Sequence, residues 1–271
     1  MPELPEVETV LQGLKPHIEG KTISKVTIRR YDLRWPIFKN ISQKLMGQKL
    51  HKITRRAKYL ILHFDQGAAL LHLGMSGQVR IVNKTQPINK HDHFDLEFDA
   101  NKILRFTDPR RFGAFLWAGI HYKDHPLLIS LGPEPFDKKF SGEYLWHLAQ
   151  SRSVSIKSFI MDNKIVVGIG NIYAAESLFL SKINPKLSVR KLTQDRFSSL
   201  VIAIRFILRK AIKRGGTTLK DFINSEGNPG YFSQHLNVYG RAGLSCYQCS
   251  HILQMIHIGQ RSTVYCEKCQ I

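Results

Sequence analysis

Two hydrophobic periods divide the chain. At its start Val7, Val10, Leu11 and Leu14 recur at helical spacing, with Pro5 near the first turn and Glu6 and Glu8 where the positive end of a helix favours acidic side chains. The pattern predicts one amphipathic helix. From there to Trp117 the period shortens: stretches rich in β-branched and aromatic residues at 22–28, 53–64, 69–82, 93–98, 103–107 and 112–117 are separated by turn formers such as Asp65-Gln66-Gly67 and Asp99-Ala100-Asn101. Several short strands at this spacing predict a β-sandwich. Around Leu131-Gly132-Pro133-Glu134-Pro135 two prolines mark a linker, and the pattern then turns helical. Phe197, Leu200, Val201, Ile204, Ile207, Leu208, Ala211 and Ile212 trace one helix face, Arg205, Arg209, Lys210, Lys213 and Arg214 give the helix basic character, and Gly215-Gly216 ends it. Residues 217–231 are polar and glycine-bearing with no period, which reads as a mobile loop. The fold class is therefore α+β, with expected divisions at 1–131 (β-sandwich with an opening helix), 132–236 (helical) and 237–271 (cysteine hairpin).

Charge narrows the function. Among 271 residues 40 are Lys or Arg and 21 Asp or Glu, a formal net charge of +19, so the folded surface presents a positive field whose commonest matching polyanion is nucleic acid. A membrane is the rival partner. No apolar run approaches the roughly 18 residues needed to span a bilayer, and the opening MPELPEVETV carries two prolines and three glutamates instead of a signal peptide, so a cytoplasmic protein is expected. No hydrophobic interface pattern stands out, so a monomer is expected.

All four cysteines lie near the C-terminus, as Cys246-x2-Cys249-x16-Cys266-x2-Cys269. Each Cys-x-x-Cys turn presents two sulfurs to one side of a tetrahedron, the pattern of a single structural zinc; a pair of disulfides is the alternative. Four thiolates leave no open coordination position for an activated water.

Met1-Pro2-Glu3 offers a nucleophile if the methionine is removed. Pro2 would then carry a free secondary amine, and α-amino groups titrate near 8 against about 10.4 for lysine, so far more of such an amine is unprotonated at neutral pH. A helix start just downstream lowers it further. Glu3 beside it can act as acid or base. On its own, such a terminus reads first as a solvated tail.

The segments PELPEVET at 2–9, RRAKYL at 55–60, HLGMSG at 72–77, KHDH at 90–93, TDPRRFGA at 107–114, VGIGNIYAAESLF at 167–179, GGTTLKDF at 215–222 and the cysteine hairpin with its GQRST resemble, in order and spacing across the whole chain, the bacterial formamidopyrimidine-DNA glycosylase family. The resemblance implies base-excision repair: a bifunctional glycosylase/AP lyase that removes oxidised purines (8-oxoguanine and formamidopyrimidines) through a Schiff base on Pro2 and cuts the strand by β,δ-elimination. It implies duplex DNA with oxidised bases or abasic sites as partner, a nucleoid-associated bacterial cytoplasmic location, a helix-two-turn-helix motif in 132–236 and a zinc finger in 237–271. Glu3 would assist protonation at the sugar, Lys58 would contact phosphate and serve β-elimination, and Arg261 would bind phosphate and serve δ-elimination. Met75, Arg110 and Phe112 would fill the gap left by the extruded nucleotide, with register choosing Arg110 over the adjacent Arg111.

Residue types alone leave several of these open. Lys58 reads first as a solvent-facing residue at a strand start. Arg261 reads equally as an ordinary turn arginine. Phe112 borders the stretch from Gly113 to Trp117, which reads as a buried strand, so core is its rival reading. Asn171 follows Gly168-Ile169-Gly170 at a helix start, where amides and the side chain suit a phosphate. His91 and Arg152 would be further DNA contacts; His91-Asp92-His93 alternates along a strand and cannot turn all three side chains to one metal. Residues 217–231 would close over the lesion. Two other readings remain: the related endonuclease VIII family, which acts on oxidised pyrimidines, and a non-catalytic zinc-ribbon DNA-binding protein, which leaves Pro2, Glu3, Lys58 and Met75 without a use as a set.

Overall fold

The computed structural model describes residues 2–99, 102–217 and 236–271. The chain divides into two compact units, Met1–Ile129 with Arg214–Tyr231 and Ser130–Lys213 with Phe232–Ile271.

The first unit opens with α1 (Leu4–Ile18), whose buried stripe of Leu4, Val7, Val10, Leu11, Leu14 and Ile18 follows the helical period. Two four-stranded antiparallel sheets follow. In one, β1 (Ile23–Ile28), β6 (Asp92–Phe98), β7 (Lys102–Thr107) and β5 (Gln78–Val82) lie in the order β1-β6-β7-β5. In the other, β2 (Lys52–Arg56), β3 (Tyr59–Phe64), β4 (Gly67–His72) and β8 (Ala114–Gly119) lie in the order β2-β3-β4-β8. Their inner faces and α1 share one core, in which the Phe94 ring stacks on Phe106 of its own sheet at 5.1 Å and on Phe115 of the facing sheet at 4.5 Å. The short α2 (Ile41–Leu45) and α3 (Pro126–Ile129) complete the unit.

Two stretches expected as single strands are each two. Residues 53–64 fold back at Ala57, which has φ of 54°, and residues 69–82 break at the turn after His72. Phe112 lies just before β8, and its ring is 41% exposed, so it is not part of the core.

Register gathers the turns. Tyr59 pairs with His72 and His72 with Ala114, while Gln78 and Asp92 both pair with Thr107. The β2–β3 turn with Lys58, the β4–β5 turn with Met75, the β7–β8 loop with Arg110 and Phe112, and His91 before β6 therefore share one end of the sandwich.

In the second unit α5 (Ile156–Met161) and α7 (Gln194–Lys213) pack on α6 (Asn171–Leu180), which is buried from Ile172 to Phe179, and α4 (Gly142–Ala149) packs on α7. The expected apolar face of the long basic helix is buried on α7 from Phe197 to Ala211. The hairpin of β9 (Gln254–Ile258) and β10 (Arg261–Tyr265) packs Val264, Cys246 and Cys266 against Ala175 and Phe179 of α6. Among the described residues no helix is long and apolar enough to cross a membrane.

Candidate functional site

In the first unit the N-terminal residues are tightly held. Pro2 is buried directly ahead of α1, and Glu3, its N-cap residue, is 3% exposed. The completely buried Glu6 clamps both sides of this terminus: its Oε2 accepts the Glu3 amide at 2.8 Å and its Oε1 accepts the Thr217 amide at 2.7 Å. Gly216, at φ of 81°, lets the backbone reach this carboxylate, since a Cβ there would sit 3.0 Å from Glu6 Oε1. Of the loop expected at 217–231, only Thr217 lies within the described residues.

Arg55 ties the Lys58 turn to α1. Its Nε donates to Glu8 Oε2 at 2.8 Å and its Nη1 to the Ala57 carbonyl at 2.9 Å. Lys58 itself is 7% exposed, unlike a solvent-facing strand lysine. Beside it the Tyr59 and His72 rings lie 4.8 Å apart. Burial first, then the positive charges of Lys58 and Arg34, lower His72 to about 4, so the imidazole is neutral and its Nδ1 accepts the Gly74 amide at 3.0 Å. That contact shapes the turn presenting Met75, which is 37% exposed.

Arg110 and Arg111 have different surroundings. The Arg110 guanidinium lies over the Phe112 ring at 4.8 Å, whereas Arg111, at φ of 57°, forms an ion pair with Asp32. His91 accepts the Asp108 amide on its carbonyl at 3.0 Å and leaves its side chain partly exposed, while Asp92 and His93 are buried in contacts of their own: Asp92 with Thr107 and Arg105, His93 with the Asp108 carbonyl at 2.6 Å.

In the second unit Asn171 begins α6 after Gly170, with its amides at the positive helix end. Sequence reasoning missed the residue that holds it. Lys157, completely buried, donates from Nζ to Asn171 Oδ1 at 2.6 Å, Thr263 Oγ1 at 2.6 Å and the Ser262 carbonyl at 3.3 Å, and Asn171 Nδ2 donates to the same Ser262 carbonyl at 3.0 Å. The helix start is thereby joined to the residues following Arg261, which is exposed at the hairpin turn. A groove of about 510 Å3 runs here between Lys157, Ser158, Met161 and Asp162 on one side and Ile258 to Arg261 on the other. Arg152 lies 3.6 Å from Asp162, with its guanidinium 5.8 Å from the centre of the Phe159 ring.

Glu176 was missed as well. Completely buried in α6, its carboxylate accepts the amides of Asn237, Val238 and Tyr239 and the Asn237 side chain, all at 2.8 to 2.9 Å. It anchors the entry to the cysteine hairpin. The four Sγ atoms lie within 4.8 Å of one another, with Cys246 to Cys269 at 3.9 Å and Cys249 to Cys266 at 3.5 Å. Zn–S bonds of about 2.3 Å arranged tetrahedrally place sulfurs about 3.8 Å apart, so the cluster fits one zinc ion. The backbone hydrogen bond from His251 lowers the Cys249 thiol to about 7, whereas burial pushes the Cys266 and Cys269 thiols up, so the thiolates of that pair need a metal's charge to form.

Known proteins resemble the chain along its whole length. Residues 1–115 match the formamidopyrimidine-DNA glycosylase N-terminal domain, residues 131–223 the formamidopyrimidine-DNA glycosylase H2TH domain, and residues 243–271 the zinc finger found in FPG and IleRS. The formamidopyrimidine-DNA glycosylase of Stenotrophomonas maltophilia is 51% identical over 272 residues, covering 100% of both chains, and that of Legionella pneumophila is 52% identical over 270 residues, covering 100% of this chain and 98% of its own. Among solved structures, the Lactococcus lactis Fpg in complex with DNA containing an abasic site superposes with a TM-score of 0.91 at 32% identity, covering 99% of each chain. The wild-type form of that protein with N7-benzyl-Fapy-dG DNA gives the same values.

Proposed function

The chain belongs to the formamidopyrimidine-DNA glycosylase family, and from that premise we propose which of its residues carry out base-excision repair and how. The protein is a DNA glycosylase with AP lyase activity, acting on oxidised purines in duplex DNA. Once Met1 is removed, the Pro2 secondary amine attacks C1′ of the damaged nucleoside; the N-glycosidic bond breaks, the base leaves with a proton, and a Schiff base joins Pro2 to the opened sugar. Glu3 assists protonation at the sugar. Loss of a C2′ proton then breaks the bond to the 3′ phosphate, a step served by Lys58, and a second elimination releases the 5′ phosphate, served by Arg261. The observation that best supports this assignment is the burial of Pro2 and Glu3 beside the Glu6 clamp, where a solvated tail would be exposed.

Met75, Arg110 and Phe112 fill the space of the extruded nucleotide. The choice of Arg110 is supported by its stacking on Phe112, against the pairing of Arg111 with Asp32. His91, Arg152 and Asn171 position the DNA backbone. Arg152 is held beside the Asp162 carboxylate and the Phe159 ring. The division of labour follows 1–131 for catalysis, 132–236 for helix-two-turn-helix binding and 237–271 for the finger. Cys246, Cys249, Cys266 and Cys269 hold one zinc that shapes the finger and takes no part in the reaction. DNA binding places the enzyme on the nucleoid in the bacterial cytoplasm.

Single-turnover excision from otherwise identical duplexes carrying 8-oxoguanine or thymine glycol tests the substrate class. Faster release of 8-oxoguanine is expected. Preference for the oxidised pyrimidine would assign the endonuclease VIII specificity instead.

A further inference from the structure

Asp108 is completely buried at the end of β7, yet its carboxylate bonds to both loops that carry the gap-filling residues. From the Met75 turn, Ser76 Oγ donates to Asp108 Oδ1 at 2.7 Å. From the other loop, the Gly113 amide donates to Asp108 Oδ2 at 2.7 Å, and the Arg110 amide lies 3.3 Å from both Asp108 Oδ1 and Ser76 Oγ. One carboxylate therefore closes the loop on either side of Phe112 and fastens it to the neighbouring turn. The backbones also touch: a Cβ on Gly74 would lie 2.3 Å from the Phe112 carbonyl carbon and 2.5 Å from the Gly113 nitrogen. Burying a carboxylate costs more than burying an apolar side chain of equal volume, so this hub is a poor device for stability alone. What it supplies is geometry. It accepts from hydroxyl and amide donors on two segments 32 residues apart in sequence.

We propose that Ser76 and Asp108 are positioning residues which lock the Met75 turn and the Arg110–Phe112 loop into one rigid wedge, so that both enter the duplex together when a damaged nucleotide leaves it. The proposal rests on the gap-filling reading of Met75 and Phe112. Two independently moving loops would each have to order on the DNA, and a pre-joined wedge has already lost that freedom. The hub therefore acts on extrusion of a stacked base and not on the chemistry at C1′.

The test compares Ser76→Ala, Asp108→Ala, Asp108→Asn and Phe112→Ala with the wild-type protein. Three readouts are taken: single-turnover excision of 8-oxoguanine opposite cytosine, strand cleavage at a preformed abasic site, and the rise of fluorescence from a 2-aminopurine placed beside the lesion. An abasic site has no base to unstack. Ser76→Ala should slow excision and the fluorescence rise about tenfold, matching loss of one hydrogen bond to a charged group, and Asp108→Ala, which also frees the Gly113 amide, at least as much, while abasic cleavage stays within about twofold. Asp108→Asn, which keeps an acceptor oxygen, should recover most of the loss, and the Ser76→Ala/Asp108→Ala double variant should be no slower than Asp108→Ala alone. An equal fall in both activities, or an unchanged fluorescence rise, overturns the proposal. If Asp108→Ala fails to fold, Ser76→Ala, which deletes only a hydroxyl, decides. If Phe112→Ala changes none of the readouts, the gap-filling reading fails, and the proposal fails with it.

Discussion

Replacing Lys157 with Met should separate the phosphate grip from the fold that carries it. The change conserves chain length and removes the donors at 2.6, 2.6 and 3.3 Å. Thr263 keeps the bond its hydroxyl already donates to the Arg261 carbonyl at 3.4 Å, and the Ser262 carbonyl keeps the Asn171 Nδ2 donor, but Asn171 Oδ1 and Thr263 Oγ1 both lose the Lys157 donor. A bond to a charged group contributes about 1.5–3 kcal/mol, and two short ones are lost with partial compensation, so the expected cost in this unit is about 3 kcal/mol. Because Asn171 and the residues after Arg261 are the groups held by Lys157, much of that cost should reach DNA affinity. At about 1.4 kcal/mol per tenfold, binding weakens between about 10-fold and 100-fold. Fluorescence anisotropy on a duplex with a tetrahydrofuran abasic analogue, titrated from low to moderate salt, reads both quantities. The loss should be uniform across sequences, and the slope of log affinity against log salt should fall by about one phosphate contact. A variant that keeps its zinc and its thermal midpoint, yet binds with unchanged affinity and slope, would refute the reasoning.

Four further outcomes are expected. Folding lowers His72 from 6.5 to about 4, so the unfolded chain binds the extra proton between those values; the His72 contribution is complete above pH 6.5, shrinks by about 2 kcal/mol at pH 5 and is lost toward pH 4. Urea unfolding at pH 7 and pH 5 should show a larger loss in the wild-type protein than in His72→Asn. Glu176→Gln turns an NH2 group toward amides and should cost about 2–4 kcal/mol in thermal or urea unfolding; an unchanged midpoint would count against the anchoring role of the carboxylate. Chelating the zinc should unfold the hairpin and weaken binding to undamaged and damaged duplexes alike, seen as simultaneous loss of anisotropy and of near-ultraviolet ellipticity. Arg261→Ala should weaken binding on every duplex and lower the salt slope by about one; identical affinity at every salt concentration would contradict a phosphate contact.

The sandwich, the opening helix and the cysteine cluster were legible because each has a local code: period two, period 3.6, and a fixed spacing of thiols. Turn chemistry without glycine or proline was not. Ala57 takes a φ of 54° in the run Arg55-Arg56-Ala57-Lys58, and nothing in its propensity announces the fold-back that carries Lys58. The motif residues themselves could be named, but not the groups that hold them, because those bonds span long sequence distances. Lys157 in Ile156-Lys157-Ser158-Phe159 reads as an ordinary surface lysine until Thr263, 106 residues away, is brought to its Nζ. Asp108 and Glu6 share this character. Each is an acid in a recognisable segment, and only tertiary structure shows that one closes two loops and the other joins the first turn of α1 to Thr217.

The central claim is that Pro2 is the nucleophile. Purified protein incubated with a duplex carrying 8-oxoguanine opposite cytosine, reduced with borohydride and digested, gives one peptide to identify by mass spectrometry. A reduced adduct between the deoxyribose C1′ and the nitrogen of a Pro2 that has lost Met1 is expected. An adduct on Lys58 or any other amine, or none when the proline terminus is free and the base is released, would contradict it.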